Sequence, residues 1–178
     1  MSSEKKELKD YVLTIPDFPK KGIMFRDVTS VVQDPDGLKK AIDEMTALIA
    51  DIDVDVIVGA ESRGFIFGTA LAYNRNAGFV MARKKGKLPR ETVSEEFELE
   101  YGTDEIHIHK DAIKPGQKVV IVDDLIATGG TSAAMIKLVE RLGGEVVRLV
   151  FLMELKGLNG RELLKGYDVA SAIQYEGA

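Results

Sequence analysis

The chain has 178 residues, 45% of them hydrophobic and 30% charged, with a formal net charge of −5 and no cysteine. That length suits one domain with a substantial core; the negative balance gives no general attraction to nucleic acid or anionic lipid, and disulfides and thiolate metal sites are excluded. The charged start MSSEKKELKDYV lacks the apolar core of a signal peptide and no apolar run nears the ~20 residues of a membrane span, so a cytoplasmic protein without membrane contact is expected.

In chain order, LKKAIDEMTALIADI (38–52) is the first strong element. Leu38, Ile42, Met45 and Ile49 form the apolar stripe of an amphipathic helix, read as core packing with no direct function. VDVIVGA (54–60) is apolar without alternation, as a strand buried on both faces should be. A Gly-containing loop and the helix-like GFIFGTALAYNR follow it. ARKKGKLPRETVSEE (82–96) is charged, contains Pro89 and has no period, which predicts a flexible loop. FELEYGTDEIHIH (97–109) alternates around Gly-Thr-Asp and predicts an antiparallel hairpin with one wet face. His107 and His109 share a face of that hairpin; two such ligands with no third make a poor metal site, and they read as surface residues. KVVIVDD (118–124) is a second buried strand. In GTSAAMIKLVERLGG, Ala134, Leu138 and Leu142 recur every four residues, and Gly143-Gly144 supplies the stop. EVVRLVFLMEL (145–155) is again β-rich. Strand, helix, strand is a βαβ unit, so the fold class is α/β: one domain over 1–178, with a parallel β-sheet core flanked by helices.

Chemistry concentrates at 118–132, KVVIVDDLIATGGTS. Ligands of open α/β sheets bind beyond the carboxyl ends of the strands, which is where Asp123 and Asp124 stand. Gly129 and Gly130 allow close backbone approach, the N–H groups opening a helix suit a phosphate, and Thr128, Thr131 and Ser132 can add hydroxyl donors. Carboxylates would repel that phosphate, so they must answer sugar hydroxyls or a cation that escorts it. The combination points to a phosphorylated sugar bound with a divalent metal. The plainer alternative is that the acids cap the helix and the glycines merely turn the chain. Neither GxxxxGK[ST] nor GxGxxG is present.

VVIVDDLIATGGTS resembles the phosphoribosyl-pyrophosphate (PRPP) motif of type I phosphoribosyltransferases. PDFPKKGIMFRDVTSVVQDP (16–35), ESRGFIFG (61–68), RKKGKLP (83–89), LEYGTDEIHIHKDAIKPGQKVVIVDD (99–124) and the final IQYE (173–176) are similar to the adenine-specific family within that group. The resemblance implies a type I phosphoribosyltransferase fold with an antiparallel hairpin or flexible loop over the active site. It also implies purine salvage: transfer of ribose 5-phosphate from PRPP to adenine, giving AMP and diphosphate, with Mg2+ bound mainly through PRPP. It divides the chain into an N-terminal base-binding segment (1–35) and a flexible catalytic loop (82–104).

Roles carry over by position. Ala127, Thr128, Gly129, Gly130 and Thr131 would hold the 5′-phosphate, and Asp123 and Asp124 would face the ribose. Arg63 would contact diphosphate beside a strained peptide near Glu61-Ser62. Arg83, Lys84 and Lys87 would meet diphosphate as well, Lys87 from the partner of a homodimer. Glu100 would act as general acid/base on adenine and Tyr101 would position the reacting groups. Phe25 and Leu125 would flank adenine, while backbone groups of Met24 and Arg26 read its edge. On residue type alone, Arg63 reads as a solvated loop arginine, RKKGKLP as a solvated or nucleic-acid-facing loop, Phe25 as a core aromatic and Glu100 as an exposed strand carboxylate. Two other functions stay open: a 6-oxopurine transferase, and a non-catalytic PRPP-binding regulator of transcription. Against the regulator stand the expected absence of room for a DNA-binding domain and the presence of both Glu100 and Lys87.

Overall fold

The computed structural model describes residues 5–99 and 101–177. A seven-stranded sheet runs through the molecule in the order β5-β6-β4-β3-β7-β8-β9, and a two-stranded sheet pairs β1 with β2. The strands are β1 Leu13–Pro16, β2 Met24–Asp27, β3 Val56–Ala60, β4 Gly78–Lys84, β5 Thr92–Glu98, β6 Thr103–His109, β7 Lys118–Ile126, β8 Glu145–Leu155 and β9 Val169–Tyr175. The helices are α1 Thr29–Val32, α2 Pro35–Ala47, α3 Arg63–Arg75 and α4 Gly130–Arg141. Pairing is parallel from β4 through β9 and antiparallel where β6 joins β4 and β5 joins β6. Among the described residues no helix is long and apolar enough to cross a membrane.

The period of two in a strand splits β7 between two cores. Val120 and Val122 face one, with Ile57, Phe67, Leu71 and Met45. Val119 and Ile121 face the other, with Val58, Met135, Leu138 and Phe151. This two-sided burial is why 118–124 reads as a continuous apolar run. It also sets α2 and α3 on one face of the sheet and α4 on the other.

The helix expected at 38–52 starts and ends earlier. Asp34 caps it, its side chain accepting from the backbone N–H groups of Asp36 and Gly37, and Pro35 fills the first turn. Its most buried stripe is Gly37, Ala41 and Met45, one position round from the stripe of larger residues. The charged run at 82–96 is ordered at both ends, 82–84 in β4 and 92–96 in β5. Its partners lie far away in sequence: Ser94 pairs with His107, and Val93 and Phe97 pack on the second core. The hairpin therefore begins five residues before the expected 97. His107 is not a surface residue: its Nδ1 lies 2.8 Å from Thr92 Oγ1, and its side chain is 11% exposed.

Removing the cap tests the start of α2. Asp34→Ala should cost about 1 kcal/mol and lower Tm by roughly 2–4 °C for a chain of this size, measured by thermal unfolding. An unchanged Tm would mean the cap contributes nothing.

Candidate active site

The chain enters the parallel sheet at β3, continues to β4 on one side, and returns to β7 on the other. Helix α3 leaves β3 on one face and α4 leaves β7 on the opposite face, so a crevice opens between their strand ends. Asp123, Asp124 and Arg63 meet there. Arg63 Nε lies 2.8 Å from Asp124 Oδ2, and Asp124 is only 5% exposed. The backbone N–H of Asp124 donates to Asp123 Oδ1 at 2.8 Å. A Cβ on Gly64 would come within 3.0 Å of that same oxygen, so only glycine lets α3 start so close.

The two acids differ. Asp123 keeps some accessible surface, yet protein atoms surround its carboxyl. Burial pushes its pKa well above the ordinary carboxylate range, and the neighbouring Asp124 charge adds to this against a smaller opposing pull from Arg63.

After β7 the backbone turns sharply. Gly129 sits at φ +88° immediately before α4, and no side chain caps that helix, leaving its first N–H groups for a ligand. Thr128, Gly130 and Thr131 line a cavity of about 1110 Å³, together with Met24, Phe25 and Arg26 from β2 and Leu125 from β7. The outer strand β5 supplies a further wall through Glu96–Leu99. Its base is fixed to α4, since Arg141 donates to the Ser94 carbonyl at 2.8 Å and to Glu95 Oε2 at 2.7 Å.

The Phosphoribosyl transferase domain model matches residues 28–174. Adenine phosphoribosyltransferase of Lachnoclostridium phytofermentans is 66% identical over 172 residues, 97% of this chain and 99% of its own length. This chain belongs to the adenine phosphoribosyltransferase family. The crystal structure of the enzyme from Thermoanaerobacter pseudethanolicus is similar at TM-score 0.91 and 52% identity, covering 94% of this chain and 98% of the other. The Saccharomyces cerevisiae enzyme, complexed with an imino-altritol bisphosphate and adenine, gives TM-score 0.87 at 42% identity, covering 93% and 96%.

Within this adenine phosphoribosyltransferase fold, the residues expected from sequence fall into three groups. The first lines the cavity: Met24, Phe25, Arg26, Leu125, Thr128, Gly130 and Thr131. Phe25 is half-buried and meets Phe18 edge-on, with centroids 5.1 Å apart, so it is not a core aromatic. Arg26 is held from behind: its guanidinium lies 4.1 Å from the centre of the Tyr175 ring, and it donates to Thr14 Oγ1 at 2.6 Å.

The second group stands on the strand ends, outside the cavity lining: Arg63, Asp123 and Asp124 at the crevice, Arg83 and Lys84 at the end of β4, and Lys87 just beyond. Glu61 organises this rim. Its carboxylate accepts from the Lys84 backbone N–H at 2.7 Å and lies 3.5 Å from Arg83 Nε, and the Glu61-Ser62 peptide is cis. Lys84 Nζ is 3.1 Å from Asp104. Lys87 has no ion-pair partner among the described residues.

The third group does not line the cavity. Tyr101 is 84% exposed, Ser132 is buried, and Ala127 and Gly129 turn the backbone from behind. Glu100 lies outside the described residues. Sequence reasoning missed Lys137, Leu158 and Leu163 on the cavity wall. Lys137 was accessible to it, because Gly130, Ala133, Ala134 and Lys137 follow the i, i+3, i+4, i+7 spacing of one helix face. Leu158 and Leu163 sit in short 3-10 turns with no period to betray them.

The buried acid gives a pH test. An unfolded chain releases this proton near the ordinary value of about 3.9, whereas the folded chain holds it to higher pH. The associated stability is complete below the unfolded value and is lost as pH rises through the folded one. Asp123→Asn removes the titration, so its unfolding free energy relative to the parent should climb as pH rises above about 4 and level off once the folded carboxyl has ionised. Urea unfolding at several pH values measures this, and a difference independent of pH would contradict the assignment.

Proposed function

We propose that the cavity is where adenine and PRPP react, with the sugar over the β3–β7 crevice, the 5′-phosphate in the turn at 127–131, and adenine against β2. One observation carries this: Met24–Arg26, Leu125, Thr128, Gly130 and Thr131, drawn from separate parts of the sequence, line the same cavity. As a member of this family, the chain transfers ribose 5-phosphate from PRPP to adenine, forming AMP and diphosphate. Phe25 and Leu125 offer apolar surfaces to the purine, and backbone groups of Met24 and Arg26 offer it a hydrogen-bonding edge.

The acids then have a chemical task. Positive charge develops on the ribosyl ring as diphosphate departs, and fixed negative charge beneath the ring stabilises it. Asp124 is positioned for this by Arg63, whose Nε lies 2.8 Å from its Oδ2. Asp123, raised by burial, is suited to hydrogen-bond a ribose hydroxyl in either protonation state. Arg63 meets Asp124 through Nε at the crevice, where a guanidinium suits diphosphate. Arg83, Lys84 and Lys87 extend that positive rim. Among the described residues no three His, Asp or Glu side chains converge on a metal position. By family resemblance, Mg2+ would be held chiefly by oxygens of PRPP and would offset the charge of the leaving group.

Glu100 is assigned the proton exchange with the purine and Tyr101 a positioning role, both by family resemblance. Support comes from their neighbours Glu98 and Leu99, which line the cavity. We further propose a homodimer with Lys87 serving the partner's site. Ile66, Tyr73 and Met81 on α3 and β4 are 42%, 87% and 48% exposed, an apolar surface that a second copy would cover.

Two experiments follow. Purified protein given PRPP, Mg2+ and single purine bases should convert adenine and leave hypoxanthine and guanine unchanged, followed by absorbance. In the same assay Glu100→Gln should lower kcat by roughly 10²- to 10⁴-fold while calorimetric PRPP affinity holds; full activity would remove Glu100 from the mechanism. For the dimer, mixing Lys87→Ala and Glu100→Gln chains after denaturation should restore activity that neither has alone. No restoration would place Lys87 in its own site.

A further inference from the structure

One buried charge has no part in the chemistry above. Glu154, near the end of β8, is 5% exposed and is gripped by Arg161 at both carboxylate oxygens, 2.7 Å from Nε and 2.8 Å from Nη2. Ser171 donates to the same carboxylate at 2.8 Å, and Arg161 also donates to the Val169 carbonyl at 3.0 Å. Neither Glu154 nor Arg161 lines the cavity. Arg161 thus fastens the 3-10 segment Gly160–Leu164 to β8 and β9 at once.

The residue beside this fastening touches the phosphate turn. A Cβ on Gly160 would lie 2.5 Å from the Ala127 carbonyl oxygen, and one on Gly129 would lie 2.5 Å from the Gly160 carbonyl oxygen. The tightest approach is backbone on backbone in both directions, with the Ile126 side chain packed beside Gly160. Gly129 is also the residue whose positive φ opens α4.

We propose that Glu154 and Arg161 form a positioning pair for PRPP: they press Gly160 against Ala127 and Gly129 and so fix the turn at 127–131 where a phosphate needs it. This rests on reading that turn as the phosphate site. Glu154 is buried while Arg161 is half-exposed, and burying a carboxylate against an arginine is a poor source of net stability that apolar residues can often replace. Holding a geometry explains its presence better.

The test is steady-state kinetics on Arg161→Lys, on the paired replacement Glu154→Met with Arg161→Met, and on Gly160→Ala. Lysine keeps the charge but cannot span both oxygens and the Val169 carbonyl, while the paired replacement avoids leaving one charge buried alone. Displacement of the turn should raise KM for PRPP about 10-fold or more, leave KM for adenine within about twofold, and make Arg161→Lys the mildest of the three. A lowered Tm with KM for PRPP unmoved would overturn the proposal by making the pair merely structural, as would an equal rise in both KM values. If Arg161 variants do not fold, Gly160→Ala alone decides, because it displaces the same turn with the ion pair intact. Parent protein that turns over while the variants keep their PRPP affinity refutes only this proposal; parent protein inert with PRPP and adenine refutes the functional reading and this proposal with it.

Discussion

Two neighbouring parallel strands send their helices to opposite faces of the sheet, and the site depends on this. Because α3 leaves β3 on one side and α4 leaves β7 on the other, the strand ends cannot be covered by their own connections. The crevice they leave receives Arg63 from one helix start and Asp123 and Asp124 from the other strand. Rigidity comes from the apolar runs behind it: Val56, Ile57 and Val58 against Val119, Val120, Ile121 and Val122, all but Val56 with no measurable exposure. A few ångströms of slip in that register would separate a carboxylate from its guanidinium.

Electrostatics at the crevice are deliberately unequal. Two adjacent aspartates would ordinarily share a similar fate, but one has an arginine at contact distance and the other is packed against Gly64. A guanidinium and a glycine therefore place the two acids in different surroundings. The basic residues of the 83–87 segment stay near the rim by similar means, with Glu61 and Asp104 holding Arg83 and Lys84 apart from each other. Acids thus space out a cluster of like charges that would otherwise repel.

Much of this was legible in the sequence because the relevant signals are local. Continuous apolar runs marked β3, β7 and β8, and Asp-Asp followed by Thr-Gly-Gly-Thr marked both the strand end and the turn into α4. What escaped depended on distant partners. β5 looks like a charged loop until β6 supplies its hydrogen bonds, and β4 and β9 carry too little pattern to stand out beside their neighbours. The cavity wall at Leu158 and Leu163, and the contact of Gly160 with Gly129, arise where a short 3-10 segment folds back onto a turn some thirty residues earlier. No period or motif encodes such a meeting. Lys137 is the exception, readable from helical spacing but visible as part of the site only once α4 is known to border the cavity.

Arg141 ties the foot of the β5–β6 hairpin to the last turn of α4, and Gly130 and Thr131 in the first turn of the same helix line the cavity. The hairpin is thus braced on a helix that borders the cavity. The wall given by Glu96, Phe97, Glu98 and Leu99 is therefore indexed to the same helix whose Gly130 and Thr131 line the cavity beside it.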